Sequence, residues 1–212
     1  MSITASDFEV ATLGPCRIES PMSHIVGSRR TTQHYVDETD RVLFDDTIGM
    51  VLAHDEPDVV RLPSFEPGGP RRRIYFDPAK TRVGIVTCGG LCPGLNNVIK
   101  GLVQELTKHY GVRRIYGFRN GYRGFVARYG HPVMDLTPEA VDGIDELGGT
   151  ILGTSRGSQD PEEIVDCLEQ LNINVLFVIG GDGSMAGAIR IAQVAAERGD
   201  RIAVVGIPKT ID

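Results

Sequence analysis

The chain has 212 residues, enough for one large domain or one and a half small ones, and at 41% hydrophobic and 24% charged it has the make-up of a globular protein. Lys+Arg 22 against Asp+Glu 28 gives a net charge of −6, which argues against nucleic acid or an anionic membrane as the main partner but leaves room for a local basic pocket. No apolar run approaches the ~20 residues of a membrane span, and the N-terminus MSITASDFEV lacks the apolar stretch of a secretory signal. Cys16, Cys88, Cys92 and Cys167 are too few and too irregular for a disulfide framework. Cys88 and Cys92 bracket a glycine loop without the histidine pair that would complete a zinc site. A reducing, cytoplasmic setting is the expectation.

The chain divides near residue 80. Residues 1–79 lack a sustained period, and 59–80 (VVRLPSFEPGGPRRRIYFDPAK) reads as a proline-rich extended arm. Its Arg71-Arg72-Arg73 run is either a phosphate clamp or a solvated or subunit-facing charge run. The five histidines form no i,i+4 pair and carry no assigned chemistry.

From residue 80 to 212 strands and helices alternate. RVGIVT (82–87) is a short β-branched strand. Residues 95–110 place Val98, Leu102, Val103 and Leu106 at helical spacing. A strand RIYGF (114–118) follows, then a helix over about 138–147 and a brief strand within 148–153. Residues 161–171 form a helix with Pro161 at its first turn and acids after it. NVLFVIG (174–180) is a continuous apolar run, the mark of a strand buried on both faces. An Ala-rich helix (184–198) and a further buried strand (201–207) complete the pattern. The fold class expected is α/β, a doubly wound, Rossmann-like parallel sheet with an irregular N-terminal extension.

Five glycine-rich or polar stretches follow strand candidates: GGLCPGLN (89–96), RNGYRG (119–124), GTSRG (153–157), GGDGS (180–184) and PKTID (208–212). In an open α/β sheet the carboxyl ends of the strands share one edge, so these distant segments should meet there. Gly89 and Gly90 let backbone approach a ligand, with the helix from Leu95 offering N–H groups to an anion, or they make a plain strand-to-helix turn. Asp182 is either a metal anchor facing phosphate through Mg²⁺ or a helix N-cap, a role open to Ser184 too. Arg156 can clamp phosphoryl oxygens or form an exposed ion pair. Lys209, Thr210 and Asp212 can offer charge, orientation and a general base, or lie solvated in a loop. No Walker A pattern occurs. Gly181 to Ala186 formally fits G-x-G-x-x-A, but Asp200 precedes the next strand instead of ending it, which disfavours a dehydrogenase.

In this order the motifs resemble the phosphofructokinase family. GGLCPGLN is similar to its first phosphate loop, GFRNGYRG (117–124) to its G-x-x-x-GY-x-G segment and GGTILGTSR (148–156) to its GGT-x-LG-x-x-R; GGDGS and PKTID complete the set. Residues 1–79 look like the extension of the plant- and trypanosomatid-like branch. The resemblance implies that Gly90, Arg156, Gly157, Gly181, Gly183 and Ser184 line the phosphoryl-donor site, with Tyr122 and Gly187 nearby. It implies Mg²⁺ on Asp182, and Thr210, Ile211 and Asp212 on fructose 6-phosphate, with Asp212 the general base at the 1-hydroxyl. The implied reaction is glycolytic transfer of the ATP γ-phosphoryl group to that hydroxyl, by an allosteric, cytoplasmic homo-oligomer, dimer or tetramer. Gly183 and Lys209 bear on donor choice. ATP users carry Gly at the first place and usually Gly at the second, and pyrophosphate users carry Asp and Lys. Gly183 leaves open the space of the α-phosphate, so ATP is expected and pyrophosphate is the alternative. Family members continue past PKTID into a second α/β domain, missing here. The chain is therefore expected to be the N-terminal part of a longer enzyme, inactive alone, or a non-catalytic nucleotide-binding or subunit-interaction module.

Overall fold

A computed structural model describes residues 5–24, 34–49 and 62–209, in two compact units, 1–75 and 76–212. Among its described residues the first unit has little regular structure. Two antiparallel pairs of two-residue strands, Ile18–Glu19 with Arg73–Ile74 and Val42–Leu43 with Ser64–Phe65, hold it together. Phe8, Phe44 and Phe65 cluster with ring centroids 4.8–6.1 Å apart. Two residues of the arginine run make contacts inside this unit. Arg71 donates to the carbonyls of Asp37 and Pro67 and faces Glu38 and Glu66, while Arg72 lies 5.0 Å over the Tyr35 ring. Arg71 and Arg72 are thus paired within their own unit, as the charge-run reading expects.

The second unit is the predicted α/β sheet. Its elements are β1 (Arg82–Thr87), α1 (Leu95–Lys108), β2 (Arg114–Phe118), β3 (Met134–Asp135), α2 (Pro161–Gln170), β4 (Val175–Gly180), α3 (Asp182–Arg198) and β5 (Ala203–Pro208). The spatial order is β3-β2-β1-β4-β5, parallel except for the antiparallel edge strand β3. The chain winds outward from β1 in one direction and from β4 in the other, so the switch point lies between these two central strands.

Side-chain alternation divides the core into two layers. Val83 and Ile85 of β1 and Ile179 of β4 pack with Leu95, Ile99 and Val103 of α1. Val86, Leu176 and Val178 face the other way, onto Ile164, Val165 and Leu168 of α2 and Ile191 and Val194 of α3. The buried face of α1 is centred on Leu95, Ile99 and Val103, with the predicted Val98, Leu102 and Leu106 on its half-buried flank. Helix α2 starts as its residues dictate: the Asp160 carboxylate accepts from the Glu162 N–H at 3.0 Å, ahead of Pro161 in the first turn.

Two expected elements are absent. Residues 138–147 form turns and a single 3-10 turn, Ile144–Glu146, in place of a helix, because Gly143 sits at φ 73, where an α-helix cannot continue. Residues 148–153 are not a strand. Gly149 and Gly153 take positive φ, and the segment's backbone groups bond to side chains of Asn96 and Thr87 instead of a neighbouring strand. Helix α3 begins at Asp182, two residues before the expected start.

Ile85 is fully buried at the centre of the sheet. Its replacement by Ala is expected to lower unfolding free energy in urea by about 3 kcal/mol, the usual cost of an unfilled core site. A loss below about 1 kcal/mol would mean this layer is not a packed core.

Candidate functional site

Gly180 ends β4, and a Cβ there would collide with the Ser184 side chain and lie 3.2 Å from the Cys88 carbonyl. Only glycine lets α3 begin so close to the sheet. The first turn is tight, with the N–H groups of Ser184 and Met185 donating to Gly181 O at 2.8 and 3.0 Å, and no side chain caps it. The positive end of this helix therefore stays open to a ligand.

That helix end is one wall of a cleft of about 740 Å³ along the carboxyl edge of the sheet, a size usual for small-molecule sites. The ends of β1, β2, β4 and β5 all reach it. From β1 come Cys88, Gly89 and Gly90; from the loop after β2, Tyr122; from β4 and α3, Gly181 to Ser184, Ala186, Gly187, Arg190 and Ile191; from the end of β5, Lys209. The loop before α2 adds Ser155 to Gln159, and α2 itself adds Pro161 and Ile164.

The expected residues Gly90, Tyr122, Arg156, Gly157, Gly181, Asp182, Gly183, Ser184, Gly187 and Lys209 are thus gathered around one space. Thr210, Ile211 and Asp212 lie outside the described residues. Leu91 to Leu95 do not line the cleft, so the helix end facing it is that of α3 and not the expected one of α1. Asp182 is the first residue of α3, with Gly181 at the capping position, so its carboxylate is no N-cap. It is exposed to the cleft without a hydrogen-bond or ion-pair partner among the described residues.

Tyr122 fixes α3 from the side. Its hydroxyl donates to Ser184 O at 2.7 Å, and its ring lies where a Cβ on residue 187 would fall, 2.8 Å from Cε2, so Gly187 is required by contact. Burial raises the Tyr122 pKa, with the neighbouring Cys88 adding to it. Burial likewise pushes the Cys88 thiol up to about 12, against the opposing effects of the Tyr122 backbone N–H and the Lys209 charge. Lys209 continues the ladder, its N–H donating to Gly180 O at 3.0 Å, and its Nζ lies 3.9 Å from where a Cβ on Gly90 would stand.

Sequence reasoning missed the far end of the cleft. Pro161, Ile164, Ala186 and Ile191 make an apolar wall with Arg190 beside it. Positions 182, 186 and 190 are one helical stripe, a period visible in the sequence once α3 starts at Asp182. The cleft therefore joins a cationic, N–H-rich end holding one free carboxylate to an apolar end. No group of three or more metal-binding side chains exists among the described residues, so a cation here would be shared between Asp182 and a ligand. Mg²⁺ is held in this way, by one or two carboxylates and substrate phosphates.

The sequence profile described as Phosphofructokinase matches residues 82–212. The chain belongs to the phosphofructokinase family. It is 54% identical over its whole length to an ATP-dependent 6-phosphofructokinase of Amycolatopsis methanolica, and covers 46% of that protein. It is 41% identical over 99% of its length to an ATP-dependent 6-phosphofructokinase of Trypanosoma cruzi, 42% of which is covered. The segment before residue 80 is therefore shared with these relatives. Among solved structures, Pichia pastoris phosphofructokinase in the T-state matches with a TM-score of 0.56 and 28% identity, over 63% of this chain and 15% of that one. The chain spans under half the length of these relatives.

The thiol of Cys88 is neutral through the neutral range. Its native-state stabilisation is complete below the unfolded thiol pKa of 9.0 and is lost as pH rises from there toward about 12. At pH 8, iodoacetamide is expected to alkylate the exposed Cys16 in minutes and Cys88 only after unfolding. Equal rates at the two, followed by mass spectrometry, would contradict this account of the cleft floor.

Proposed function

We propose that this chain is the phosphoryl-donor part of an ATP-dependent 6-phosphofructokinase, which moves the γ-phosphoryl group of ATP to the 1-hydroxyl of fructose 6-phosphate. The observation that carries the reading is the two-ended cleft. The open N-terminus of α3, with Arg156 and Lys209, suits a chain of phosphates, and the wall of Pro161, Ile164, Ala186 and Ile191 suits a base. Asp182 and Arg190 are eight positions apart on α3, about 12 Å along its axis, so one helix spans both ends of the cleft.

The residues have separable roles. Backbone N–H groups at 181–183 and the cations Arg156 and Lys209 hold the phosphates and offset charge that builds in the transition state. Asp182 would hold Mg²⁺, which when bound neutralises phosphate oxygens. Ser184 stiffens the first turn, and Tyr122 holds that turn against β2. Catalysis here is positioning in a cleft whose donors need no rearrangement. Asp212 as general base, with Thr210 and Ile211 beside it on the sugar phosphate, rests on the family resemblance.

Donor choice follows from space and charge. A Cβ on Gly183 would meet nothing within 4 Å, so the position opens onto the cleft. A carboxylate there would enter the phosphate path and repel it. Gly183→Asp is expected to weaken MgATP binding by at least about tenfold. Gly183→Ala, whose methyl group meets open space, is expected to stay within about threefold of the parent at most, near a helix-propensity effect. Calorimetric titration of both variants decides this, and an Asp variant that binds like the parent removes the steric and electrostatic argument. The protein purified from its natural source is expected to form fructose 1,6-bisphosphate from ATP. Turnover with pyrophosphate and none with ATP would overturn the donor assignment.

A further inference from the structure

Residues 147–160, between the 3-10 turn and α2, contain no helix or strand, yet they carry Arg156 into the cleft. A long irregular segment must find partners for its backbone groups or lose its shape. Two buried polar side chains outside the cleft supply them. Asn96, 2% exposed in the first turn of α1, accepts from Ile151 N–H at 2.9 Å and donates to Leu147 O at 3.1 Å. Thr87, fully buried at the end of β1, donates to Gly153 O at 2.7 Å and lies 3.0 Å from the Thr150 hydroxyl. A hydroxyl has one proton, so with Thr87 donating to Gly153, the Thr150 hydroxyl must donate to Thr87. Thr150 in turn accepts from Leu152 N–H at 3.2 Å. The chain from Leu152 N–H through both hydroxyls to Gly153 O is closed and every member is satisfied.

The same loop then grips the glycine turn. Thr154 donates to Gly89 O at 2.6 Å, and Gly89 N–H donates to Ser155 O at 3.2 Å. Both backbone groups of Gly89 are thereby used, immediately before Gly90 and immediately before Arg156. The main chain at Arg156 is fixed to the turn that faces the phosphate end, while its guanidinium remains exposed.

We infer that Thr87 and Asn96 are positioning residues that hold Arg156 in register with the glycine turn at 89–90, so that its guanidinium meets a bound phosphate. The inference rests on the phosphate-binding reading of the cleft and assigns work to two residues that do not line it. Neither touches a ligand; both act through the loop.

The test combines hydrogen exchange on the ligand-free chain with binding of MgATP, inorganic pyrophosphate and adenosine. Thr87→Val is expected to speed exchange of amides at 150–156 by at least about tenfold, leaving those of β4 unchanged. It is expected to weaken MgATP about tenfold, the worth of one charge-assisted contact, and adenosine less than about twofold. In an Arg156→Ala background the same change should cause no further loss, and Thr87→Ser should restore both exchange and binding. If Thr87→Val does not fold, Thr154→Val removes the half-buried bond to Gly89 and reads the same coupling. Equal losses for adenosine and MgATP, an undiminished loss in the Arg156→Ala background, or unchanged exchange would each overturn the inference. Should the parent bind pyrophosphate with this Arg156-dependent loss but fail to bind MgATP, the nucleotide reading falls and the inference stands.

Discussion

Parallel pairing of β1 with β4 is the constraint on which the site depends. Their register, Val83 with Val175 through Thr87 with Ile179, brings two carboxyl ends level at the sheet centre, where the chain winds away in opposite directions. The ladders on either side of β4 run past their neighbours' ends, since Cys88 N–H, after β1, donates to Ile179 O at 2.8 Å and Lys209 N–H, after β5, donates to Gly180 O. Loops separated by about a hundred residues are thus held side by side by backbone bonds before any side chain contributes. A one-residue slip would exchange the two faces of β4 and expose its core side chains.

A protein of net charge −6 gathers a positive site at this edge. The sources are the N-terminal end of α3, Lys209, Arg156 and Arg190, set against the single carboxylate of Asp182. Most of this charge is local and partly dipolar, so it does not register in the composition. The cleft is also graded along its length. At one end glycines leave main-chain N–H groups uncovered; at the other, side chains of α2 and α3 provide an apolar surface. Phosphates and base ask for these opposite environments, and the two-turn stripe on α3 supplies both from one helix.

The centre of the sheet was legible because β1 and β4 are largely buried on both faces, whereas β5, expected to be a buried strand, lies at the end of the sheet with Val205 and Gly206 exposed. VLFVIG has no polar residue and RVGIVT has none between Arg82 and Thr87, and the intervening helices have clear apolar stripes. The glycine turns were legible for a related reason, since close approach at 180 and 187 leaves no other residue possible. Residues 138–153 misled because their apolar residues do sit in the core, but Gly143 breaks the helix and the backbone is bonded to Asn96 and Thr87, which local periodicity cannot register. The apolar wall was missed because Pro161 and Ile164 read as ordinary first-turn and core residues of α2. Their position beside Ala186 and Ile191 exists only once α2 and α3 pack. Thr210, Ile211 and Asp212, on which the sugar side of the site rests, lie beyond the described residues.

The central claim is that the start of α3 receives the phosphates of a nucleotide and its second and third turns receive the base. A crystal structure of the chain with Mg²⁺ and a non-hydrolysable ATP analogue tests it most directly. The account predicts phosphate oxygens on the N–H groups of 181–183, the metal on the Asp182 carboxylate and the base against Ile164 and Ile191. A nucleotide bound in the opposite direction, or a metal held away from Asp182, would contradict it.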